Sequence, residues 1–344
     1  MLDFAQSSFL DFARSNFRPA RDNARSLRCR LNPHRMLRMT SEAEAQSAIS
    51  VREISKRYGR LTAVRNLRLE VRQGEIFGFL GLNGAGKTTT IRILLDLLRP
   101  TSGKAFILGF DCQSEGLEAR ARVGYLPGEM GIYGDMTGRE TLAFLAGLEQ
   151  RRVDKRYREQ LQERLALSPA DLGRKLREYS TGMKRKLGLI QALQSDPPLL
   201  ILDEPTEGLD PLMQESFYEL LSDLKRRGRT VFMSSHVLSE VERVCDRIGL
   251  VRKGELVLLS PVEEIRKLAA RRVRVIFGED VTVKPDLPPE HEMIEARPRL
   301  WTVRVNGPLG PLLRALAALP VDDLMVEESR LEDVVMKYYR EDER

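Results

Sequence analysis

A strand, a glycine-rich loop and a helix follow one another within residues 75–95, and this succession constrains the fold more than any other feature. The mostly apolar run Glu75–Leu80 leads into Gly81–Thr89, which fits the pattern G-x-x-x-x-G-K-[ST]. Glycines let successive backbone N–H groups turn towards an anion, and the dipole of the following helix favours negative charge. The succession therefore predicts an α/β domain that binds the phosphates of a nucleoside triphosphate. The loop residues expected at the nucleotide are Gly81, Asn83, Gly84, Ala85, Gly86, Lys87, Thr88 and Thr89.

Two side chains of this loop have specific chemistry. Lys87 supplies a mobile cation for the β- and γ-phosphates, and the Thr88 hydroxyl is a ligand for the Mg²⁺ that accompanies them. A chance glycine-rich turn before a helix is the alternative interpretation. The agreement of strand, loop, lysine, hydroxyl and helix argues against it.

A second buried strand ends in two carboxylates. Leu199–Leu202 are apolar and lead directly into Asp203 and Glu204. Parallel strands present their carboxyl ends to the ligand crevice, so we expect both carboxylates to lie beside the phosphates. Asp203 is expected to hold Mg²⁺, and Glu204 to act as general base towards the attacking water.

Three further residues are candidates that depend on this context. His236 ends the predicted strand Thr230–His236 and is positioned to hydrogen-bond a γ-phosphate or the water, although a lone histidine there is usually structural. Asp210 precedes Pro211 and has the properties of a helix N-cap. Tyr58 lies upstream of the loop, where its ring is able to stack on a base, although strand-edge aromatics are common.

Composition describes a soluble globular protein. The chain has 42% hydrophobic and 31% charged residues, and no apolar run is long enough to cross a bilayer. Its net charge of +6 comes from 56 basic and 50 acidic residues, which gives no indication of a nucleic-acid partner. Cys29, Cys112 and Cys245 are widely spaced, which predicts free thiols in a reducing cytosol.

The chain divides into three parts by pattern. Residues 1–47 are rich in arginine without sustained periodicity, and we predict a disordered extension. The alternatives are a basic membrane-binding arm, an organellar transit peptide, or upstream sequence added by a misassigned start. In the last case Met36 or Met39 would be the real first residue. Residues 48–270 form the nucleotide-binding domain, and residues 271–344 a small α+β accessory domain without a catalytic constellation.

These motifs, in this order, resemble the ATP-binding subunits of ABC transporters over about residues 49–268. Gly81–Thr89 matches the Walker A loop, Leu199–Asp203 the Walker B strand with Glu204 as catalytic glutamate, and His236 the switch histidine. Tyr58 matches the adenine-stacking aromatic of the family. The signature matches Tyr179–Lys184, with Ser180 and Gly182 kept, and the D-loop matches Gly208–Asp210. It implies a RecA-like core, an ABC β-subdomain and a helical signature subdomain. The ending Glu327–Val335 resembles the bacterial export branch, which includes drug and antibiotic exporters.

Two departures from the family pattern stand out. The signature has Thr181 and Met183 where the family has glycine and glutamine, while Ser180 and Gly182 are kept. In the Q-loop, Gly128 follows the proline where the family has glutamine. Either the neighbouring Glu129 takes over that role or the role is reduced.

The resemblance implies ATP and Mg²⁺ as cofactors and a head-to-tail dimer of ATP-binding subunits, with each ATP between one Walker A loop and the partner's signature. It also implies separate transmembrane permease subunits and a cytoplasmic location, peripheral on the inner face of the cell membrane. A soluble ABC-type ATPase acting on ribosomes or DNA is the alternative function. The single cassette, the lack of heptads and the lack of C-x-x-C pairs argue against it.

Overall fold

The computed structural model describes residues 47–131, 134–148, 152–268, 271–282, 287, 291–305, 307–327 and 335. Contacts within the chain divide it into two compact units, Met1–Leu259 and Ser260–Arg344. The sequence placed this division after residue 270. The difference arises because the helix Val262–Leu268 groups with the second unit. The predicted extension lies outside the described residues except for Ser47, which begins the first strand with its hydroxyl donating to the carbonyl of Ile49 at 2.9 Å.

An antiparallel sheet in the first unit comes from the alternating sequence around the phosphate-binding loop. Its strand order is β2-β1-β4-β5. Alternate apolar residues of β1 and β2, such as Ile49 and Leu69, point into a shared core and are almost fully buried. The strands are β1 (Ser47–Tyr58), β2 (Leu61–Arg72), β4 (Ser102–Ile107) and β5 (Phe110–Asp111).

A six-stranded sheet forms the centre of the first unit, with the order β10-β9-β3-β8-β7-β6. Strands β9, β3, β8, β7 and β6 are parallel neighbours, and their near-continuous apolar sequences agree with burial on both faces. The strands are β3 (Ile76–Leu80), β6 (Val123–Leu126), β7 (Leu199–Asp203), β8 (Thr230–Ser235), β9 (Arg247–Arg252) and β10 (Glu255–Pro261). Because β3, β7 and β8 are neighbours, the segments that follow them meet at one edge.

Helices connect these strands. The first follows the phosphate-binding loop, and a group of helices with a 3₁₀ turn at Leu176–Glu178 lies between β6 and β7. Asp210 accepts a hydrogen bond from the Met213 N–H at 3.0 Å, and Pro211 is the first helical residue, which confirms the predicted cap. The helices are α1 (Lys87–Leu94), α2 (Gly116–Arg120), α3 (Gly138–Leu148), α4 (Lys155–Arg164), α5 (Pro169–Leu172), α6 (Thr181–Leu193), α7 (Pro211–Arg226) and α8 (Leu238–Val244).

The second unit has its own core. An antiparallel sheet with the order β12-β13-β11-β14 packs around Trp301, whose ring meets Phe277 edge-on with 4.6 Å between centroids. Its elements are α9 (Val262–Leu268), β11 (Arg271–Phe277), β12 (His291–Arg297), β13 (Leu300–Val305), α10 (Gly310–Leu316) and β14 (Val321–Glu327). The sequence of residues 330–339 predicts a helix, and this segment lies outside the described residues apart from residue 335.

Cys112 and Cys245 are free and buried, as the sequence predicts, whereas Cys29 lies outside the described residues. Burial raises the pKa of the Cys112 thiol to about 12, so this group stays protonated at neutral pH. Within the described part of the chain, no helix is both long and apolar enough to cross a membrane.

Candidate functional site

The phosphate-binding loop joins β3 to α1, and its glycines are required by geometry. Gly84 and Gly86 have φ values of 80° and 106°, in the left-handed region that favours glycine. A Cβ on Gly86 would also lie 2.6 Å from the carbonyl oxygen of Ala63, closer than a side chain tolerates. The backbone thus takes the conformation that the sequence pattern predicts.

Lys87 is the first residue of α1, and its ammonium group is buried inside the loop. The Nζ atom donates to the carbonyl of Gly81 at 2.6 Å and lies 3.2 Å from Oε1 of Glu204. The lysine side chain is only 6% exposed, so the carboxylate is its main compensating charge. The loop is therefore linked directly to the end of β7.

Glu204 is the central residue of a chain of polar contacts. Besides Lys87, it contacts Nδ1 of His236 through Oε2 at 2.8 Å. Its own N–H donates to the Ser234 hydroxyl at 3.0 Å, and that hydroxyl donates to Oδ1 of Asp203 at 2.6 Å. The structure thus brings Lys87, Glu204 and His236 together, although they are far apart in the sequence.

Asp203 and Thr88 form a second pair. Asp203 is 1% exposed, and this burial raises the pKa of its carboxyl group. Hydrogen bonds from the Ser234 and Thr88 hydroxyls offset part of that effect. The hydroxyl and the carboxylate that the sequence assigns to a metal ion therefore contact each other.

A cavity of about 590 Å³ joins these residues to the signature segment. Its walls contain both phosphate-loop residues and residues of the helical region, so it is a crevice between parts of the first unit. Gly128 and Glu129 both line it, and a Cβ on Gly128 would lie 3.4 Å from Oδ2 of Asp203. The lining residues are Asn83, Thr88, Arg92, Tyr125, Pro127, Gly128, Glu129, Met130, Thr181, Lys184, Arg185, Asp203, Glu204 and Glu207.

The signature segment forms the beginning of α6. Ser180 is its N-cap, and the hydroxyl accepts a hydrogen bond from the Met183 N–H at 3.2 Å. A Cβ on Gly182 would lie 2.7 Å from the carbonyl oxygen of Gly208, so helix and D-loop segment are in close backbone contact. Ser180, Gly182 and Asp210 do not line the cavity, whereas Thr181 does.

Tyr58 ends β1, and its side chain is 48% exposed. Lys56 Nζ lies 5.2 Å from the centre of the ring, and Tyr58 is not among the cavity-lining residues. The ring is therefore accessible for stacking.

Two residues of the site were not singled out from the sequence. Ser234 bridges Asp203 and Glu204, and its position at the end of a strand beside His236 was the available signal. Arg185 is buried beside Gly128 and Glu207. Its signal was weak, because arginine is common on exposed helix faces.

Comparisons with known proteins show the family to which this chain is similar. Residues 64–207 match the family model described as ABC transporter. A Nod factor export ATP-binding protein of Cupriavidus metallidurans is 34% identical over 84% of this chain and 96% of its own length. The bacitracin transport ATP-binding protein of Bacillus licheniformis is 39% identical over 64% of this chain and 71% of its own length. An uncharacterised ABC transporter ATP-binding protein of Nostoc is 42% identical, and the match spans 62% of that protein.

Solved structures show the same fold. An ATP-binding subunit of an ABC transporter, 28% identical, superposes with a TM-score of 0.59 over 64% of this chain and 92% of its own. A dimeric ATP-binding cassette bound to ADP and phosphate is 22% identical, with a TM-score of 0.57 over 62% of this chain and 98% of its own. The predicted P-loop α/β fold is confirmed.

Proposed function

Because the chain belongs to the family of ABC transporter ATP-binding proteins, we propose that it binds and hydrolyses ATP and thereby powers a membrane exporter. The observation that carries the proposal is the contact of Glu204 with both Lys87, at 3.2 Å, and His236, at 2.8 Å. A phosphate-binding cation, a carboxylate able to act as base and an imidazole that holds this carboxylate are groups suited to hydrolysis of a γ-phosphate.

The phosphate-binding loop holds the nucleotide. Backbone N–H groups of Gly81–Thr89 and the N-terminus of α1 surround the phosphates, and Lys87 exchanges its contact with Glu204 for one with the γ-phosphate. Tyr58 stacks on the adenine with its exposed ring. Release of Glu204 from Lys87 leaves its carboxylate available to the attacking water.

Glu204 accepts a proton from that water, and His236 holds the carboxylate through Nδ1. Ser234 fixes the backbone of Glu204 and the carboxylate of Asp203 at once. The polar chain therefore keeps the base and the metal ligand in a fixed relation.

The residues fit a magnesium ion. Mg²⁺ at phosphate sites uses one or two protein ligands besides water and phosphate oxygens, and the Thr88 hydroxyl and Asp203 carboxylate already meet. When bound, the ion neutralises charge on the phosphates.

The assembly we propose is a head-to-tail dimer. Ser180 and Gly182 at the beginning of α6, with Asp210 two residues after the Gly208 that packs against Gly182, contact the ATP held by the partner subunit. The support is the fixed helix N-terminus, which is suited to phosphate. Separate transmembrane permease subunits complete the exporter, and the chain is cytoplasmic and peripheral on the inner face of the cell membrane.

The direction of transport rests on the relatives. Their names include bacitracin transport and Nod factor export, which favours export over an action on ribosomes or DNA. We propose domains at residues 48–270 for ATP binding and 271–344 for an accessory role.

Lys87→Ala tests the function. Loss of a charge-assisted hydrogen bond, worth about 1.5–3 kcal/mol, weakens ATP binding by roughly ten- to a hundredfold and abolishes turnover. Titration with a fluorescent ATP analogue and phosphate release measure both quantities. Lys155→Ala, in an exposed lysine of α4, is the control and leaves both unchanged. Absence of ATP hydrolysis by the unmodified chain, or full binding and turnover in Lys87→Ala, would contradict the proposal.

A further inference from the structure

Arg185 lies in the second turn of α6, and its side chain is only 4% exposed. The guanidinium group reaches out of the helical region towards the end of β7. Burial lowers its pKa, and the charges of Glu207, Asp203 and Glu204 act in the opposite direction. A cation so deeply buried needs partners for all of its donors.

The hydrogen bonds of Arg185 form a complete set. Nη1 donates to the carbonyls of Pro127 at 2.9 Å and Asp203 at 3.4 Å. Nη2 donates to the carbonyl of Gly128 at 2.6 Å and to Oε2 of Glu207 at 3.5 Å. Nε donates to the Glu207 carbonyl at 3.2 Å. Arginine has five N–H donors, and these five contacts use every one.

Four of the five acceptors are backbone carbonyls, on three separate segments. Pro127 and Gly128 belong to the Q-loop, Asp203 ends β7, and Glu207 lies between Glu204 and Asp210. One side chain of the signature helix therefore fixes the main chain around the base and the metal ligand. A carbonyl held in this way resists displacement more than an exposed side-chain pair does.

This arrangement bears on the Q-loop departure. Gly128 has no side chain with which to hold its own segment, and its Cα faces Asp203. The 2.6 Å contact from Arg185 to the Gly128 carbonyl fixes that backbone from the other side. The anchor for this segment comes from the signature helix.

We propose that Arg185 is a positioning residue for ATP hydrolysis, which couples α6 to the Q-loop and to the loop after Glu204. The inference rests on the proposed ATPase function for its kinetic consequence only. Arg185 acts through main-chain segments. Its loss should therefore affect the catalytic step more than the binding of ATP.

Hydrogen exchange tests the positioning independently of turnover. The N–H groups of Glu207 and Leu209 donate to the carbonyls of Glu204 and Thr206 at 3.2 and 3.0 Å, inside the loop that Arg185 holds. In Arg185→Gln we expect these amides to exchange at least about tenfold faster, because the buried network is broken. Exchange in β3, at the centre of the six-stranded sheet, reports global unfolding of the unit that contains Arg185 and should stay unchanged.

Steady-state kinetics test the catalytic consequence. We expect kcat of Arg185→Gln to fall about tenfold or more, with KM for ATP changed by less than about threefold. Arg185→Lys keeps the charge with three donors instead of five, so its kcat should lie between those of the unmodified chain and Arg185→Gln. If Arg185→Gln does not fold, amide exchange and kcat of Arg185→Lys test the positioning role instead.

Lys186→Gln is the matched control. It removes the next cation of the same helix, whose charge acts on Asp171 instead of on the site. Unchanged exchange at Glu207 and Leu209 in folded Arg185→Gln and Arg185→Lys would overturn the positioning role. A rise in KM with unchanged kcat would overturn its catalytic consequence. If the unmodified chain hydrolyses no ATP, the proposed function fails, while the exchange result still decides the role of Arg185.

Discussion

Glu204 has a backbone φ of 51°, a conformation that is uncommon outside glycine. The preceding residue ends β7 in extended conformation, so the chain turns sharply between the two carboxylates. This turn points Asp203 towards Thr88 and Glu204 towards Lys87 and His236. The Ser234 hydroxyl, which bonds both residues, stabilises the turn. Two adjacent acids thus have different partners, and this allows them different chemical roles.

Asp203→Asn should stabilise the chain in the absence of nucleotide and metal ion. Burial raises the folded-state pKa of Asp203 above its ordinary value of 3.8, so the ionised form destabilises the fold. This destabilisation by the buried carboxylate is complete above the folded-state pKa and disappears below pH 3.8. Asparagine carries no charge and therefore removes the destabilisation at any pH. We expect the melting temperature at pH 7 in EDTA to rise, because the buried charge is removed.

The pH dependence identifies the cause of that rise. The advantage of Asp203→Asn should shrink as the pH falls through the folded-state pKa, because the native carboxyl then becomes neutral. Asp135→Asn, in a carboxylate that is 84% exposed, is the control and should change the melting temperature little. A lower melting temperature for Asp203→Asn in EDTA would mean that the contacts of the carboxylate outweigh the cost of burial.

At the scale of elements, strands with a strong apolar pattern were predicted well. The predictions Leu199–Asp203 and Thr230–His236 match β7 and β8 closely, because burial on both faces leaves a continuous apolar run. Strands β12 and β14 were missed. Their sequences are mostly charged or exposed, so alternation is weak, and they pair at the edges of the second sheet.

Sequence reasoning finds site residues that belong to local motifs and misses those that act through contacts between distant segments. Lys87, Asp203 and Glu204 belong to motifs in which spacing constrains the geometry, so the sequence alone proposes them as one group, and Lys87 and Glu204 lie in contact. Arg185 and Ser234 act through contacts between segments far apart in the chain. No local pattern encodes such contacts. The sequence Ser260–Glu263 fits a capping-box pattern, but β10 continues to Pro261 and the Ser260 hydroxyl contacts Glu264 instead.

Gly182→Ala tests the contact between α6 and the D-loop segment. Its Cβ would lie 2.7 Å from the Gly208 carbonyl oxygen, a backbone atom that cannot move freely. We expect a loss of about 1–3 kcal/mol in the free energy of unfolding, as for overpacking elsewhere. Calorimetry measures it.

Gly147→Ala is the matched control in α3, where a Cβ meets no atom within 4 Å. This variant should be neutral or more stable by about 0.5–1 kcal/mol, because alanine favours helix. Equal stability of Gly182→Ala and the unmodified chain would show that α6 and the loop separate easily.

At the scale of the whole molecule, the site in one chain is incomplete for the proposed mechanism. Lys87, Glu204 and His236 contact one another at the phosphate-binding loop, whereas the Ser180 hydroxyl caps α6 and Gly182 packs against Gly208. In the proposed dimer, the signature residues of one subunit face the ATP of the other. Nucleotide then belongs to the interface, and its binding must favour association.

Glu204→Gln should make this association visible. The amide cannot accept the proton of the attacking water, so ATP persists. The substitution also removes a negative charge 3.2 Å from the Lys87 ammonium, near the expected γ-phosphate. We expect the purified variant to be dimeric with ATP and Mg²⁺ and mostly monomeric with ADP. A ligand at a hundred times its dissociation constant shifts such an equilibrium by about 2.7 kcal/mol per site.

Adding Ser180→Arg to Glu204→Gln should abolish the ATP-dependent dimer. Ser180 begins α6 at the proposed point of closest approach to the partner's phosphates, and arginine there leaves no room for the nucleotide. Adding Ser222→Arg instead, at an exposed serine of α7, is the control for an extra surface cation and should leave the dimer intact. Size-exclusion chromatography with light scattering distinguishes all these states. If the Ser180→Arg double variant dimerises with ATP as readily as Glu204→Gln alone, Ser180 does not contact the partner's nucleotide.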